Sequence, residues 1–173
     1  GYHELVTILH QIDVHDTFVW EPTGERFCYQ SPPGVEPVTD LVRRVLDSAP
    51  DRSFWTGRLW LEKRIPISAG LGGGSADAAV ALRLAHPDAL ESELLERAAA
   101  FGSDVPFFVR GGTALATGTG TTLAALPPVE RWFVIVVPHV NVPAKTQTMY
   151  RRLQLQDFSN GAEVLAVARS IEQ

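Results

Sequence analysis

The clearest chemistry in the sequence lies in the stretch Pro66-Ile-Ser-Ala-Gly-Leu-Gly-Gly-Gly-Ser-Ala76. A helix leaves its first amides unpaired and carries partial positive charge at that end, so it binds anions without basic side chains. Gly72, Gly73 and Gly74 would keep such an end bare. Lacking Cβ atoms, the turn can take positive φ and let phosphate oxygens reach the amides, with the Ser75 hydroxyl beside them. A Walker loop is excluded, because that motif ends in Gly-Lys-Ser/Thr and here Gly74 is followed by Ser75 and Ala76. A dinucleotide fingerprint fits poorly, since Gly70-Leu-Gly72 begins one but Ser75 stands where its third glycine belongs. The spacing favours a phosphate site and leaves open a turn that only lets a helix pack closely on a strand.

Such a site needs a strand before it and a helix after it. Residues 58–62 alternate as a strand, and residues 75–85 form an alanine-rich stretch without a breaker, which predicts a helix. Ahead of this unit, residues 5–12, 17–21 and 26–30 read as strands separated by Pro22, Gly24 and the Pro32-Pro33-Gly34 cluster. Helical spacing of apolar positions 38, 41, 42, 45 and 46 predicts a helix over 38–46, with Thr39 and Asp40 near its start. Residues 91–101 predict another, ended by Gly102, and 113–117 with 121–126 flank Gly118-Thr-Gly120 as a hairpin would. After Pro127-Pro128 the apolar run 132–137 suits a strand covered on both faces, and 144–153 and 161–171 read as helices. A domain boundary is expected near residue 127.

With 173 residues, 45% hydrophobic and 20% charged, the chain has the usage of an ordinary folded protein. A net charge of −5 and no cluster of basic residues argue against nucleic acid as a partner. The single Cys28 forbids an internal disulfide and a cysteine metal site, which fits a reducing, cytoplasmic setting. No apolar run approaches the roughly 20 residues of a membrane span, and no signal segment is visible, so a soluble protein is expected. The start at Gly1, without Met and close to a strand-like run, looks like a cut inside a larger protein.

The words Lys63-Arg-Ile-Pro66 and Gly70-Leu-Gly-Gly-Gly-Ser75 together resemble the second conserved motif of the GHMP kinases. Gly1-Tyr2-His3-Glu4, Gly102-Ser-Asp-Val-Pro-Phe-Phe108 and Asp157-Phe-Ser-Asn160 narrow the resemblance to the 4-diphosphocytidyl-2-C-methyl-D-erythritol kinase family, over nearly the whole chain and in the right order. That resemblance implies an α+β fold: a ribosomal S5 domain 2-like N-terminal domain over 1–127 and the opening of a ferredoxin-like C-terminal domain over 128–173. It implies transfer of phosphate from ATP, with Mg2+, to a hydroxyl of the methylerythritol unit in the non-mevalonate isoprenoid route. Its small-molecule partners are then ATP and 4-diphosphocytidyl-2-C-methyl-D-erythritol.

Residue by residue, the resemblance gives Asp104 the part of the catalytic aspartate, taking the proton of the attacking hydroxyl. An isolated Asp-x-Pro would otherwise read as a cap on the turn that Pro106 favours. Tyr2 and His3 match the pair that receives the cytosine ring, and Asp104 also belongs to the substrate site. The nucleotide would contact Lys63, Pro66, Ile67, Ser68, Ala69, Gly70, Leu71, Gly72, Gly73, Gly74, Ser75 and Ala76. For Lys63, a place near adenine and ribose competes with a solvated lysine at a strand end. Asp77 reads better as a favourable charge in the first helical turn than as a magnesium ligand, and no dedicated metal cage is visible. His10 and His15 read as structural or surface residues.

The sequence also departs from the family. A strand carrying Ala-Lys-x-Asn would lie upstream of Gly1, and a second glycine-rich segment would follow the last residue, so the chain as given is expected to be an incomplete site. Ala76 replaces a frequent serine, and Pro37-Val-Thr-Asp40 departs from the usual Asp-Asn before the helix bordering the adenine site. The rival readings are another GHMP kinase, acting on homoserine or a sugar, and a nucleotide-binding module without catalysis.

Overall fold

The computed structural model describes residues 4–49, 55–138 and 145–172. Two three-stranded sheets organise it. In the first, β1 (Leu5–His10) pairs antiparallel with β5 (Thr113–Gly118), which pairs antiparallel with β6 (Thr122–Leu126), so the expected hairpin forms. In the second, β4 (Thr56–Glu62) lies between β2 (Thr17–Arg26), antiparallel, and β3 (Cys28–Gln30), parallel. Strand β4 explains the order of the layers: Gly57, Leu59 and Leu61 point inward and alternate with Arg58 and Glu62 outside. Gly57 sits at φ +101, where an added Cβ would lie 2.3 Å from the Glu21 carbonyl oxygen, beside the register shift that bends β2.

The second sheet buries its inner face under helices. Helix α1 (Leu41–Asp47) contributes Val42, Val45 and Leu46, and α2 (Gly73–Ala85) contributes Ala78, Ala79, Ala81 and Leu82, all nearly inaccessible. Small alanines let α2 lie close to both α1 and the sheet. Leu94 and Ala98 of α3 (Glu91–Ala99) and Val105 and Val109 of α4 (Val105–Arg110) close the same core. Helix α1 starts three residues later than its apolar spacing suggests. Asp40 is its N-cap, accepting from the amides of Val42 and Arg43, and this leaves Val38 outside and 82% exposed.

Two further α-helices follow among the described residues, α5 (Lys145–Tyr150) and α6 (Ala162–Ile171), with a short 3-10 turn (Leu155–Asp157) between them. Helix α6 packs on β1, where Gly161 passes so close that a Cβ would meet Val6 at 2.9 Å. The strand expected over 132–137 does not form: these residues have no regular structure and are exposed. Apolar composition gives a run the propensity for a strand, but a ladder also needs a neighbouring edge, and among the described residues none pairs with it. The exposure still alternates, with Trp132, Val134 and Val136 outward and Phe133, Ile135 and Val137 more covered.

Candidate active site

Between β4 and α2 the chain makes the glycine turn. Gly72 is the N-cap of α2 in the left-handed region (φ 71), and the first helical bond runs from the Ala76 amide to the Gly72 carbonyl at 2.9 Å. The helix thus begins two residues earlier than expected, with Gly73 and Gly74 in its first turn. No side chain caps that end, so the first-turn amides remain for an anion. The turn is tight for steric reasons as well. A Cβ on Gly72 would lie 2.7 Å from the Phe108 ring of α4, and one on Gly73 would lie 2.8 Å from Ile65 Cγ2. At Gly74 an added Cβ would meet nothing within 4 Å, so the open side of the turn is there. Close packing, one of the two alternatives in the sequence, is a feature of this turn, and the uncapped end of α2 leaves the amide donors that the other alternative needs.

Two clefts lie on either side of it. One, of about 410 Å³, is lined by Gly34, Val35, Thr39, Asp40, Lys63 and residues 66–75. The other, of about 620 Å³, is lined by residues of the β1–β2 connection, by Asp104, Phe107 and Phe108 around α4, and by Ala76. Gly70, Leu71, Gly72 and Asp77 belong to both. The turn is therefore a partition with a cleft on each side. Of the twelve nucleotide-site residues expected from the sequence, Lys63 and 66–75 face the smaller cleft, while Ala76 faces the larger one.

Asp104 is exposed at the N-cap position of α4. Its carboxylate does not cap that helix; among the described residues Oδ1 accepts only a long bond, 3.4 Å, from the neighbouring Ser103 hydroxyl. The side chain faces the larger cleft instead of spending its oxygens on the backbone. His10, in the same cleft, bonds through Nδ1 to Thr113 Oγ1 at 2.7 Å, and its ring centre is 5.3 Å from that of Phe133. His15 is exposed, 3.1 Å from the Asp13 carbonyl. Tyr2 and His3 lie outside the described residues.

Below the turn lies a group that sequence reasoning missed. The ammonium of Lys63 donates to Asp16 and, at 2.7 Å, to Asp77, and the three side chains are 15%, 1% and 8% exposed. Asp16 also accepts from the amides of Arg64 and Ile65, at 2.5 and 2.9 Å, where the chain leaves β4 for the turn. Lys63 is thus not a solvated strand-end lysine. Asp77 is not a first-turn dipole charge either, because the earlier start of α2 puts it in the second turn and turns it inward toward Lys63. Burial pushes the Asp77 carboxyl up to about 6, against the bond from Lys63. For Asp16 burial acts the same way, but the bonds from Lys63 and the Ile65 and Arg64 amides outweigh it and hold the pKa below the usual value. Lys63 is held above its usual value, its two carboxylate bonds overcoming the burial. No local pattern marks Asp16, whose partner stands 47 residues away; the charged Lys63 directly after the alternating strand was the available signal.

Among the described residues no group of three His, Cys, Asp or Glu side chains is placed to hold a metal ion, and no helix is long and apolar enough to cross a membrane.

Comparison with known proteins adds to this geometry. Residues 38–112 match the model of the GHMP kinases N terminal domain. A 4-diphosphocytidyl-2-C-methyl-D-erythritol kinase of Thermus thermophilus is 38% identical over 178 residues, covering 99% of this chain and 62% of the relative. The protein of the same name from Persephonella marina is 38% identical over 156 residues, covering 84% of the chain and 56% of the relative. A crystal structure of 4-(cytidine 5'-diphospho)-2C-methyl-D-erythritol kinase superposes with a TM-score of 0.72 at 34% identity, over 99% of this chain and 63% of that one. The chain spans about three-fifths of the length of such relatives.

Proposed function

We propose that the chain, a member of the GHMP kinases with their α+β fold and similar to 4-diphosphocytidyl-2-C-methyl-D-erythritol kinases, is part of a protein that phosphorylates a hydroxyl of 4-diphosphocytidyl-2-C-methyl-D-erythritol with ATP. The observation that carries this reading is the partition. Phosphoryl transfer needs a nucleotide and an alcohol that meet end to end at one phosphorus, and the turn has a cleft on each face.

In this reading the base and ribose of ATP occupy the smaller cleft between residues 34–40 and Lys63, and the phosphates lie on the amides of residues 70–75. The acceptor occupies the larger cleft with its hydroxyl toward Asp104, and the part of receiving its cytosine falls to Tyr2 and His3, as the family resemblance implies. The hydroxyl oxygen bonds to the γ-phosphorus, the bond to the bridging oxygen breaks, ADP leaves and Asp104 takes the proton. The bare carboxylate of Asp104 suits that task, because its oxygens are not committed to capping α4. Ser75, together with the nucleotide's phosphate oxygens, would hold Mg2+, which would supply neutralisation of phosphate charge. Residues 1–127 then form the ATP-binding domain and 128–173 the opening of the second.

The test is Asp104→Asn in the full-length protein that contains this chain. Turnover should fall by about 100-fold or more, in the range of general-base catalysis, with the affinity for ATP kept. Undiminished turnover would remove Asp104 from the chemistry. Cytidine nucleotides should compete with the acceptor and not with ATP, whereas a homoserine or sugar kinase would be indifferent to them.

A further inference from the structure

The glycine turn is a span of chain with two ends, and one buried ionic group holds both. At the beginning, Asp16 accepts from the amides of Arg64 and Ile65, and Ile65 in turn lies under Gly73. At the end, Asp77 projects from α2, one turn beyond the first free amides. Lys63 joins the two carboxylates. Residues 66–72 are therefore bridged underneath by a connection that does not pass along their own backbone.

The position of the group relative to the clefts is equally specific. Asp16 lines the larger cleft, Lys63 lines the smaller one, and Asp77 lines both. The trio crosses the partition. It is poorly suited to holding phosphate directly: one ammonium faces two carboxylates, and the lysine donates to both of them inside the protein. An ionic cluster this buried carries a desolvation cost that exposed residues would avoid, which makes fixed geometry the better account of it than stability.

We propose that Asp16, Lys63 and Asp77 act as a positioning brace, which holds the partition in the shape that aligns the nucleotide phosphates with the acceptor hydroxyl. Asp16 and Asp77 act only through the backbone and Lys63; Lys63 also borders the nucleotide cleft, so Asp16→Asn is the variant that isolates the brace. Their effect passes through the backbone of residues 64–73, whose amides are pre-set before a nucleotide arrives. The alignment half of the proposal rests on the kinase reading above; the pre-setting of the nucleotide site does not.

The experiment uses the full-length protein with Asp16→Asn, which keeps the size of the side chain and an oxygen for the two amides but removes the charge. Affinity for a non-hydrolysable ATP analogue, measured by calorimetry, should weaken about 3- to 10-fold. The kcat should fall about 10-fold or more, while the KM for the acceptor stays within twofold, since misalignment by a fraction of an ångström mainly slows the chemical step. Lys63→Met should give similar losses, and combining it with Asp16→Asn should add little, because the residues act as one unit. Lys63→Arg, keeping the charge, should recover part of the rate. If Asp16→Asn does not fold, Asp77→Asn replaces it in the same scheme.

Unchanged analogue affinity and unchanged kcat in a folded variant, with only the melting temperature lowered, would overturn the brace and leave the group a purely structural one. Losses that multiply in the double variant would overturn it too. An inactive wild type would refute the kinase reading instead, and weakened analogue binding by Asp16→Asn would still support the pre-setting of the nucleotide site.

Discussion

At the scale of single residues, Asp77 has the most distinctive behaviour. Its carboxyl, buried in the fold, is raised from the usual 3.8 to about 6. The folded protein therefore binds a proton more tightly than the unfolded chain does, and stability contributed by the protonated form is lost as pH rises from about 4 to about 6. Asp16, shifted downward, contributes in the opposite sense and only in more acid solution, where protonation removes its bonds. Asp77→Asn should thus flatten the stability profile between pH 4 and 6, on the order of 2 kcal/mol across that range. Thermal melts at several pH values measure it, and a profile identical to the wild type would show that another group titrates there. Asp40 offers a simpler case. Its Oδ1 caps α1 through the amides of Val42 and Arg43, so Asp40→Ala should cost about 1 kcal/mol in urea unfolding.

The next scale is that of strand, turn and helix. Gly73 lies within α2 with no positive φ, and alanine there would ordinarily favour the helix by about 1 kcal/mol. The Ile65 side chain, 2.8 Å from the position of the new Cβ, reverses the sign, and Gly73→Ala should destabilise by about 1–3 kcal/mol. Ile65→Ala should relieve part of that, so the double variant should be more stable than the sum of the two losses implies; additive losses in denaturant titrations would place the strain elsewhere. Much of this unit was legible in the sequence. Alternation over 58–62 and three adjacent glycines before an alanine run specify strand, turn and helix, because each is a local pattern. Asp16 was not legible, since it draws its meaning from Lys63 and from two amides that only the tertiary fold brings near. The run 132–137 was misread for the complementary reason: its composition states a propensity, and a strand is completed by a partner. Asp104 stands between these cases. Its neighbours suggested a cap, the family resemblance suggested a base, and the carboxylate left uncommitted at the head of α4 is compatible with the second.

For the molecule as a whole, the exposed apolar strip and the partition have separate consequences. Trp132, Val134 and Val136 are 103%, 93% and 81% exposed and alternate with less exposed apolar residues along an irregular run, the kind of surface through which chains associate. The 173-residue chain alone should self-associate, and Val134→Lys with Val136→Lys should make it monomeric by light scattering without moving its melting temperature. Association unaffected by these changes would locate it on another face. The partition acts differently, because what it offers to both clefts is largely main chain. Side chains can be replaced by mutation, whereas the amides of Gly70 and Gly72 persist through almost any codon change. At Gly72 even the smallest addition meets the Phe108 ring in a left-handed backbone. An inhibitor built to lie against that backbone would meet a surface with few routes to resistance, since a substitution that displaced it from one cleft would also reshape the other.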